Sequence, residues 1–322
     1  MTRARFVGVG AALPDTVIPN AFLEAQLGLE AGWIERTGIR ERRVLGRDES
    51  LVDLAEHAAR AALTHAGLAP TAIDSVVVAT TSGDYRFPSL ACQVHERLGL
   101  HHVPAFDVAA ACAGFPYALS VADQSIRAGD TRTVLVLGAD ALTKFVDPAD
   151  RGTAVLFGDG AGAVVLVAEP AGERGILSCR LRALGALGSI LTAPAGVHHP
   201  DDMADADLCM RMDGREVFRA AVEHLVDLTR TALGDAGVAA EAVRLFVPHQ
   251  ANVRIIRMME QLLGIDEARV AINLDRYGNT SAASIPIALA EAVAAERLDA
   301  GDAFVMNAVG GGLAAGAVVA RW

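Results

Sequence analysis

The chain has 322 residues, of which 52% are hydrophobic and 5% aromatic, and its formal net charge is −11. This size allows a large core, built as one domain or as two halves packed together. The negative charge argues against nucleic acid or an anionic membrane as the main partner, and no apolar run approaches the roughly 20 residues of a membrane span. The amino terminus also lacks the hydrophobic segment of a signal peptide, so we expect a cytoplasmic protein.

The four cysteines, Cys92, Cys112, Cys179 and Cys209, are widely separated and form no C-x-x-C pair. This pattern is typical of reduced cysteines in a cytosolic protein and does not favour a zinc site. The loop His198–Asp207 contains metal-binding residue types without the helical spacing of metal-binding histidines. We therefore interpret it first as a solvated loop and expect no bound metal.

The apolar pattern of the first half alternates between strand and helix periods. The segment Trp33–Arg43 is basic and loop-like, and Trp33 is either a surface residue held between arginines or a ring that stacks on a flat ligand. The other predicted elements are a strand at Phe6–Gly10, a loop at Ala11–Pro19, a helix from near Asn20, a helix at Ser50–Ala66, a strand at Ile73–Ala79, a helix at Pro88–Leu98 and a strand at Thr133–Leu137.

The stretch Ala105–Ser120 is the centre of this half. Phe106–Val108 has the pattern of a buried strand end, and from Cys112 onward the period is helical, with Pro116 in the first turn. Cys112 is therefore predicted at the amino-terminal tip of a helix, where the dipole and free N–H groups lower a thiol pKa to roughly 3.5–7.5. The alternative interpretation is a small buried hydrophobic residue.

A second strand and helix pattern starts at Gly175. The preceding glycine run, Phe157–Gly162, leads into a strand rather than a helix, which disfavours a dinucleotide phosphate loop and indicates a turn. We expect a mostly parallel α/β architecture of two similar halves, 1–172 and 173–322. The predicted elements of the second half are a strand, a long loop, helices at Gly214–Leu233, Val253–Leu263 and Ser284–Ala295, and strands at Arg244–Val247, Ala303–Ala308 and Ala314–Arg321.

Three segments of the second half carry candidate functional groups. His249 follows a strand and precedes a helix, where α/β sheets usually hold ligand-facing residues, although a helix-capping histidine is as good an interpretation. Asn279 lies in a turn after a glycine, which is ordinary for Asn. Gly310–Gly312 joins two strands with a backbone that can approach a ligand and offer N–H groups. Together with Cys112, these groups make up an acyl-transfer site.

The sequence resembles the β-ketoacyl-[acyl carrier protein] synthase III family, decarboxylating condensing enzymes of the thiolase-like superfamily, along its whole length. The resemblance implies a five-layered α-β-α-β-α fold of two similar halves, a homodimer, and no cofactor, since coenzyme A thioester is a substrate. It is carried by six motifs in the family's order, which are Asp107–Phe115, Asp150–Thr153, Phe157–Gly162, Pro248–Asn252, Gly278–Ser284 and Gly310–Gly312.

Carried over to this sequence, the resemblance implies that Cys112 is the nucleophile and that His249 and Asn279 complete a triad. Cys112 would take an acyl group from acyl-CoA while the N–H groups of Cys112 and Gly311 hold the oxyanion. Malonyl-[acyl carrier protein] would then lose CO₂ while His249 and Asn279 donate hydrogen bonds to its thioester oxygen. Attack of the enolate on the acyl group would give a 3-oxoacyl-[acyl carrier protein].

Other positions match family residues that bind the substrates. Phe87 would reach across the dimer to the end of the acyl pocket and favour short primers. Only Glu35 separates Trp33-Ile34 from Arg36-Thr37-Gly38, where the family usually has two residues. The resemblance implies coenzyme A contacts from Trp33, Arg36, Arg151, Gly214, Phe218 and Asn252, and a carrier-protein patch of Arg215, Arg219, Arg254 and Arg257. Each of these patch arginines is equally well part of a solvated helix face.

The leading prediction is the enzyme that initiates fatty acid synthesis. The same site would also serve a ketosynthase-III-like acyltransferase or a starter-unit enzyme of a secondary-metabolite (polyketide) pathway. A non-catalytic dimer partner is disfavoured because such subunits typically lose the cysteine, and Cys112 is present. A thiolase would need a second catalytic cysteine near the carboxyl-terminal glycine loop, and none follows Cys209.

Overall fold

The computed structural model describes residues 2–170, 172–194 and 209–322, so the loop His198–Asp207 lies outside the described residues. Among the described helices, none is long and apolar enough to cross a membrane. The strands are β1 (Thr2–Ala12), β2 (Thr16–Pro19), β3 (Glu41–Val44), β4 (Ser75–Ala79), β5 (Ala105–Val108), β6 (Thr133–Ala141), β7 (Asp159–Pro170), β8 (Gly175–Ala183), β9 (Leu191–Thr192), β10 (Arg211–Met212), β11 (Val243–Pro248), β12 (Ala303–Gly310) and β13 (Ala314–Arg321). The α-helices are α1 (Asn20–Leu27), α2 (Leu51–Ala66), α3 (Leu90–Arg97), α4 (Gly114–Ala128), α5 (Gly214–Ala236), α6 (Val253–Leu263), α7 (Leu274–Tyr277) and α8 (Ser284–Ala294).

Two mixed sheets form the framework of the molecule. The first has the strand order β1-β7-β6-β4-β5, in which β4 is parallel to β5 and β6, and β7 is antiparallel to β1 and β6. The second has the order β11-β12-β13-β8, in which β11 and β12 are parallel and the other pairs antiparallel. The expectation of mostly parallel sheets is therefore wrong, because short connections such as that between β12 and β13 permit only antiparallel pairing. The boundary expected near residue 172 falls between β7 and β8, which belong to different sheets.

Helices cover both faces of each sheet, which gives the fold five layers. α2 and α3 pack on the outer face of the first sheet, α5 packs with α6 on the outer face of the second, and α4 and α8 lie between the sheets. One apolar cluster joins Phe115 and Leu119 of α4 to Ile285 and Leu289 of α8 and includes residues of both sheets. Because burying one such side chain stabilises by roughly 1.5–3 kcal/mol, the two halves depend on a shared core.

The buried Arg42 stabilises the strand pair β2–β3, in a region that the sequence predicts as loop. β2 and β3 pair antiparallel, so Ala11–Pro19 and the basic segment after Trp33 both contain strand structure. The guanidinium of Arg42 donates to the carbonyl oxygens of Ile18, at 3.1 Å, and Val155, at 2.7 Å. Burial lowers the pKa of Arg42 to about 10. The local pattern could not reveal this strand pair, because α1 separates β2 from β3 and the acceptors of Arg42 lie in other segments of the chain.

Glycines allow the turn before α8 to approach the first sheet closely. The run Phe157–Gly162, predicted as a turn, passes directly into β7, so Gly162 is a strand residue. A Cβ on Gly162 would lie 2.7 Å from the backbone nitrogen of Ile287, and a Cβ on Gly138 of β6 would overlap the carbonyl oxygen of Ala282. The missing side chains at these positions leave room for the backbone that enters α8.

We expect Gly138→Ala to lower the free energy of unfolding by about 1–3 kcal/mol, since the added methyl group must displace the backbone of Ala282. Gly234→Ala is the matched control, because Gly234 is an exposed helical residue whose Cβ would have no neighbour within 4 Å. That change should raise stability by about 0.5–1 kcal/mol through the higher helix propensity of alanine. Urea unfolding of the three proteins measures both effects, and equal stability of wild type and Gly138→Ala would contradict the packing argument.

Candidate active site

A cavity of about 540 Å³ opens between the two halves of the chain. The first half contributes Cys112 and Phe157 to its wall, and the second half contributes His249, Asn279 and Gly311. Most of the other lining side chains are apolar, and none of the described lining residues is Asp, Glu, Lys or Arg. The cavity therefore brings together the nucleophile, imidazole, amide and glycine loop that the sequence predicts, in an apolar environment.

Cys112 lies in a tight turn between β5 and α4. A single 3₁₀ turn, Ala111–Ala113, carries the cysteine, and α4 begins two residues later than the sequence pattern predicts. Ala111 has a φ of 46°, a left-handed conformation that few residues with a side chain adopt. A Cβ on Gly310 would lie 2.5 Å from the backbone nitrogen of Cys112, so only glycine fits there. The turn thus holds Cys112 against the glycine loop that carries Gly311.

Burial controls the protonation of Cys112. Loss of solvation raises the pKa of its thiol to about 12, a hydrogen bond from Ser281 lowers it in part, and the nearby charge of Asp140 raises it further. The Oγ of Ser281 lies 3.4 Å from the Sγ of Cys112. The expectation of a lowered pKa at a helix tip is therefore wrong, because desolvation by burial raises the pKa by more than the hydrogen bonds from Ser281 and the Cys112 backbone lower it.

His249 is held as a neutral imidazole at the end of β11. Its backbone N–H donates to the carbonyl oxygen of Asn307 at 2.8 Å, and its Nδ1 lies 2.7 Å from the Oγ of Ser284. Burial lowers the pKa of His249 to about 4. The hydroxyl of Ser284 accepts from the N–H of Gln250 at 3.4 Å, so its own proton is available for Nδ1. This arrangement favours the tautomer that carries its proton on Nε2, as a hydrogen-bond donor.

Asn279 supplies a second neutral donor. Its backbone pairs with the chain on either side of Phe157, donating to Leu156 at 2.9 Å and accepting from Gly158 at 3.0 Å. Its side-chain Oδ1 accepts from the N–H of Ser281 at 2.9 Å. Because the amide oxygen is engaged within the turn, the Nδ2 group is the part of the side chain that is left for a ligand in the cavity.

The substrate-binding residues expected from the resemblance fall into two groups. Gly214, Phe218 and Asn252 line the cavity. Trp33 and Arg36 contact each other, with the guanidinium carbon 3.6 Å from the ring centroid, and lie outside the described lining of the cavity. Their segment packs against α6, because a Cβ on Gly38 would meet the side chain of Val253. Arg151 is exposed in the turn that precedes Phe157.

The four arginines of the expected carrier-protein patch lie at the starts of α5 and α6. Arg215, Arg219 and Arg254 are exposed, while Arg257 is half-buried. Arg219 forms an ion pair with Glu216 at 2.5 Å, and Arg257 pairs with Glu260 and Glu267. Arg254 lies over the ring of Phe218 at 5.8 Å from its centroid, which places one positive charge at the cavity wall.

Three polar residues of the site were missed from the sequence. Ser281 and Ser284 belong to the motif Gly278–Ser284, in which only Asn279 was predicted to act, because a serine in a turn gives no signal of its own. Asp140 closes a strand and is fully buried. Nothing in its neighbourhood along the chain indicated that it would lie near Cys112. Among the described residues, no group of three or more His, Cys, Asp or Glu side chains could hold a metal ion.

Two similar α/β halves, with a buried cysteine and two neutral donors lining one apolar cavity, define a thiolase-like condensing enzyme. Comparison with known proteins identifies the family. The family model for 3-oxoacyl-[acyl-carrier-protein] synthase III matches residues 106–185, and the model for its C-terminal part matches residues 233–322. The chain belongs to the β-ketoacyl-[acyl carrier protein] synthase III family, as the resemblance predicted.

Relatives of the whole chain support this assignment. A β-ketoacyl-[acyl-carrier-protein] synthase III of Vibrio parahaemolyticus is 45% identical over 99% of both chains. The solved 3-oxoacyl-[acyl-carrier-protein] synthase III of Aquifex aeolicus is 44% identical, with a TM-score of 0.93 over 99% of this chain and 100% of that one. The priming β-ketosynthase of the R1128 polyketide pathway is 35% identical, with a TM-score of 0.94 over 99% of this chain and 96% of that one. The expected thiolase-like fold is confirmed.

The lowered pKa of His249 predicts a pH dependence of stability. Between pH 6.5, the ordinary pKa, and about pH 4, the unfolded chain binds a proton that the folded chain excludes, so stability is lost as the pH falls. From pH 7 to pH 4 we expect wild type to lose about 3 kcal/mol more than His249→Gln. Urea unfolding at several pH values measures this difference, and parallel pH profiles of the two proteins would contradict it.

Proposed function

We propose that the protein condenses an acyl-CoA primer with malonyl-[acyl carrier protein] and so initiates fatty acid synthesis. The products are 3-oxoacyl-[acyl carrier protein], CO₂ and coenzyme A, and no cofactor is required. The observation that carries the proposal is the shared cavity, in which the buried Cys112 lies with two neutral donors, His249 and Asn279. Membership of the synthase III family supports the same reaction.

The first half-reaction transfers the acyl group to Cys112. The Sγ atom attacks the thioester carbonyl carbon of acyl-CoA, and the resulting oxyanion accepts hydrogen bonds from the backbone N–H groups of Cys112 and Gly311. Coenzyme A leaves as a thiolate when the carbon–sulfur bond breaks. The close packing of Gly310 on the Cys112 turn supports this arrangement, because it brings the glycine loop to the reacting carbon.

The second half-reaction uses the two neutral donors. Nε2–H of His249 and Nδ2–H of Asn279 donate to the thioester oxygen of the malonyl group, which becomes negative as CO₂ leaves. An apolar cavity favours this step because it solvates a compact carboxylate poorly, whereas the enolate oxygen is met by fixed donors. The enolate carbon then attacks acyl-Cys112. Removing one such donor typically costs roughly 10²–10³ in rate.

Gly214, Phe218 and Asn252 form the part of the cavity wall that would hold the pantetheine arm. Trp33, Arg36 and Arg151 would contact the adenine and phosphates of coenzyme A outside it. Arg215 and Arg254 would contribute most to attraction of the acidic carrier protein, since Arg219 and Arg257 are already paired with glutamates. We place the enzyme in the cytoplasm as a homodimer.

A second candidate function is priming of a polyketide pathway. The R1128 priming ketosynthase superposes on this chain with a TM-score of 0.94 at 35% identity, so the same architecture serves that role. The two candidates use the same acyl-Cys112 intermediate. They differ in the acceptor that discharges it.

Intact-mass measurement after incubation with a panel of acyl-CoA thioesters tests the proposal. Wild type should gain the mass of one acyl group, and malonyl-[acyl carrier protein] should discharge it as a 3-oxoacyl product. Cys112→Ser should form no adduct within the incubation that fully acylates wild type. Cys92→Ser, which removes an exposed thiol, should behave as wild type. An adduct that only another acceptor discharges would favour the polyketide role, and no adduct on wild type would contradict the nucleophile assignment.

Phe87 is expected to limit the length of the acyl primer. Its side chain is 86% exposed in the single chain, as expected for a residue that enters the acyl pocket of a dimer partner. Phe87→Thr should therefore extend activity to longer acyl-CoA thioesters, measured as kcat/KM across a chain-length series. Tyr85→Ser, which removes another exposed aromatic side chain of the same loop, should leave the chain-length preference unchanged. An unchanged preference in Phe87→Thr would contradict this role.

A further inference from the structure

A buried carboxyl group lies behind the nucleophile, outside the cavity wall. Asp140, in β6, is inaccessible to solvent and forms no ion pair in the part of the chain that the structure describes. Its oxygens accept hydrogen bonds from the Oγ of Ser82 at 2.7 Å and from the N–H groups of Thr81, at 2.9 Å, and Ala282, at 3.2 Å. Burying a carboxylate without a cation costs desolvation free energy, which suggests that Asp140 has a function in the site.

Ser281 connects this carboxyl group to the nucleophile. Its Oγ lies 3.4 Å from the Sγ of Cys112, and its side chain is within reach of Asp140, whose carboxyl group accepts from the N–H of the next residue, Ala282, at 3.2 Å. Ser281 has a φ of 53°, and its N–H donates to the Oδ1 of Asn279, so the turn fixes the backbone that carries the hydroxyl. In the structure the hydroxyl donates to Sγ. Because a hydroxyl group has one proton and two lone pairs and can rotate about its C–O bond, Ser281 can also accept the S–H proton while it donates to Asp140.

Moving the proton of Cys112 to Asp140 avoids two negative charges close together in the buried site. A thiolate on Cys112 beside an ionised Asp140 would place two negative charges in the same solvent-free region, and burial together with the Asp140 charge raises the pKa of the thiol to about 12. Burial also raises the pKa of Asp140. If the proton moves from sulfur to the carboxylate, the region keeps a single negative charge. That charge is then located on the sulfur.

We propose that Ser281 relays the proton of Cys112 to Asp140 during acylation and returns it when the acyl group leaves. This inference rests on the proposed function, because it deepens the two half-reactions at the same cysteine. Ser281, which touches the reacting sulfur, acts directly, whereas Asp140 is a positioning residue that acts only through Ser281.

The proton and the bonds balance in each half-reaction. In acylation, Sγ gives its proton to Ser281, whose own proton passes to an Asp140 oxygen, as the new sulfur–carbon bond forms. The bond from carbon to coenzyme A breaks, and the released thiolate takes a proton from solvent. In condensation, the enolate carbon bonds to the acyl carbon, the bond to Cys112 breaks, and the sulfur recovers its proton from Asp140 through Ser281.

Rapid-quench acylation followed by intact mass, over a range of pH, tests the relay. Ser281→Ala, Ser281→Gly and Asp140→Asn should each acylate about 10²-fold more slowly than wild type at neutral pH. The glycine variant retains the left-handed backbone of Ser281, so its loss of rate cannot come from strain. Decarboxylation of malonyl-[acyl carrier protein] by the same variants should change little, since His249 and Asn279 perform it.

The pH profile separates a relay from a structural role. Of the titratable groups around Sγ, His249 is neutral above about pH 4, and Asp140 is the group that the relay uses. Above the pKa of Asp140, where the carboxylate can accept the proton, the wild-type acylation rate should therefore no longer rise with pH. The Ser281 variants should instead accelerate about tenfold per pH unit, because their thiol must lose its proton to hydroxide.

Ser284→Ala provides the contrast within the same turn. It removes the hydroxyl at Nδ1 of His249, so it should slow decarboxylation about tenfold and leave the acylation rate and its pH profile unchanged. Wild-type acylation rate and pH profile in both Ser281 variants would overturn the relay. Equal reductions of the acylation and decarboxylation rates in the Ser281 variants would also overturn the relay. Absence of an acyl adduct on wild type would instead contradict the proposed function.

Discussion

Cys112, His249 and Asn279 are buried together in an apolar cavity between two sheets. Exclusion of solvent controls the protonation of the thiol and of the imidazole. The same desolvation raises the pKa of the Cys112 thiol to about 12 and lowers that of the His249 imidazole to about 4. At neutral pH the cavity wall therefore presents a thiol, a neutral imidazole and an amide. A site in this state has donors ready for a developing enolate, but it needs a route by which the thiol can lose its proton.

One turn arranges most of these groups. The segment Gly278–Ser284 supplies the amide of Asn279, the hydroxyl beside Cys112 and the hydroxyl at His249. It can reach the first half of the chain because Gly138 has no side chain to block the backbone of Ala282. The contact between this turn and β6 therefore joins the two halves of the fold and also assembles the site. A substitution that shifts this contact would therefore also move Asn279 and the two serine hydroxyls relative to Cys112 and His249.

The sequence predicted residues that line the cavity more accurately than it predicted their surroundings. Strand and helix periods located most elements, and the family motifs predicted Cys112, His249 and Asn279 as a triad, which the fold brings into one cavity. The lowered thiol pKa was wrong because helix-tip position is a local property, whereas burial depends on the whole chain. The mostly parallel sheets were wrong because apolar runs do not show the direction in which strands pair. The pairing of β2 with β3 was missed because α1 separates the two strands and Arg42 finds its acceptors in other segments.

By itself, the sequence determined the family and the order of most elements, and it predicted the residues of an acyl-transfer site, because residue type and spacing encode these directly. Only the tertiary structure decided the protonation of those residues and the partners that control it. Asp140 and Ser281 are far apart along the chain, and their approach to Cys112 depends on the packing of α8 against the first sheet. Desolvation and hydrogen bonding act through space, so no local pattern records them.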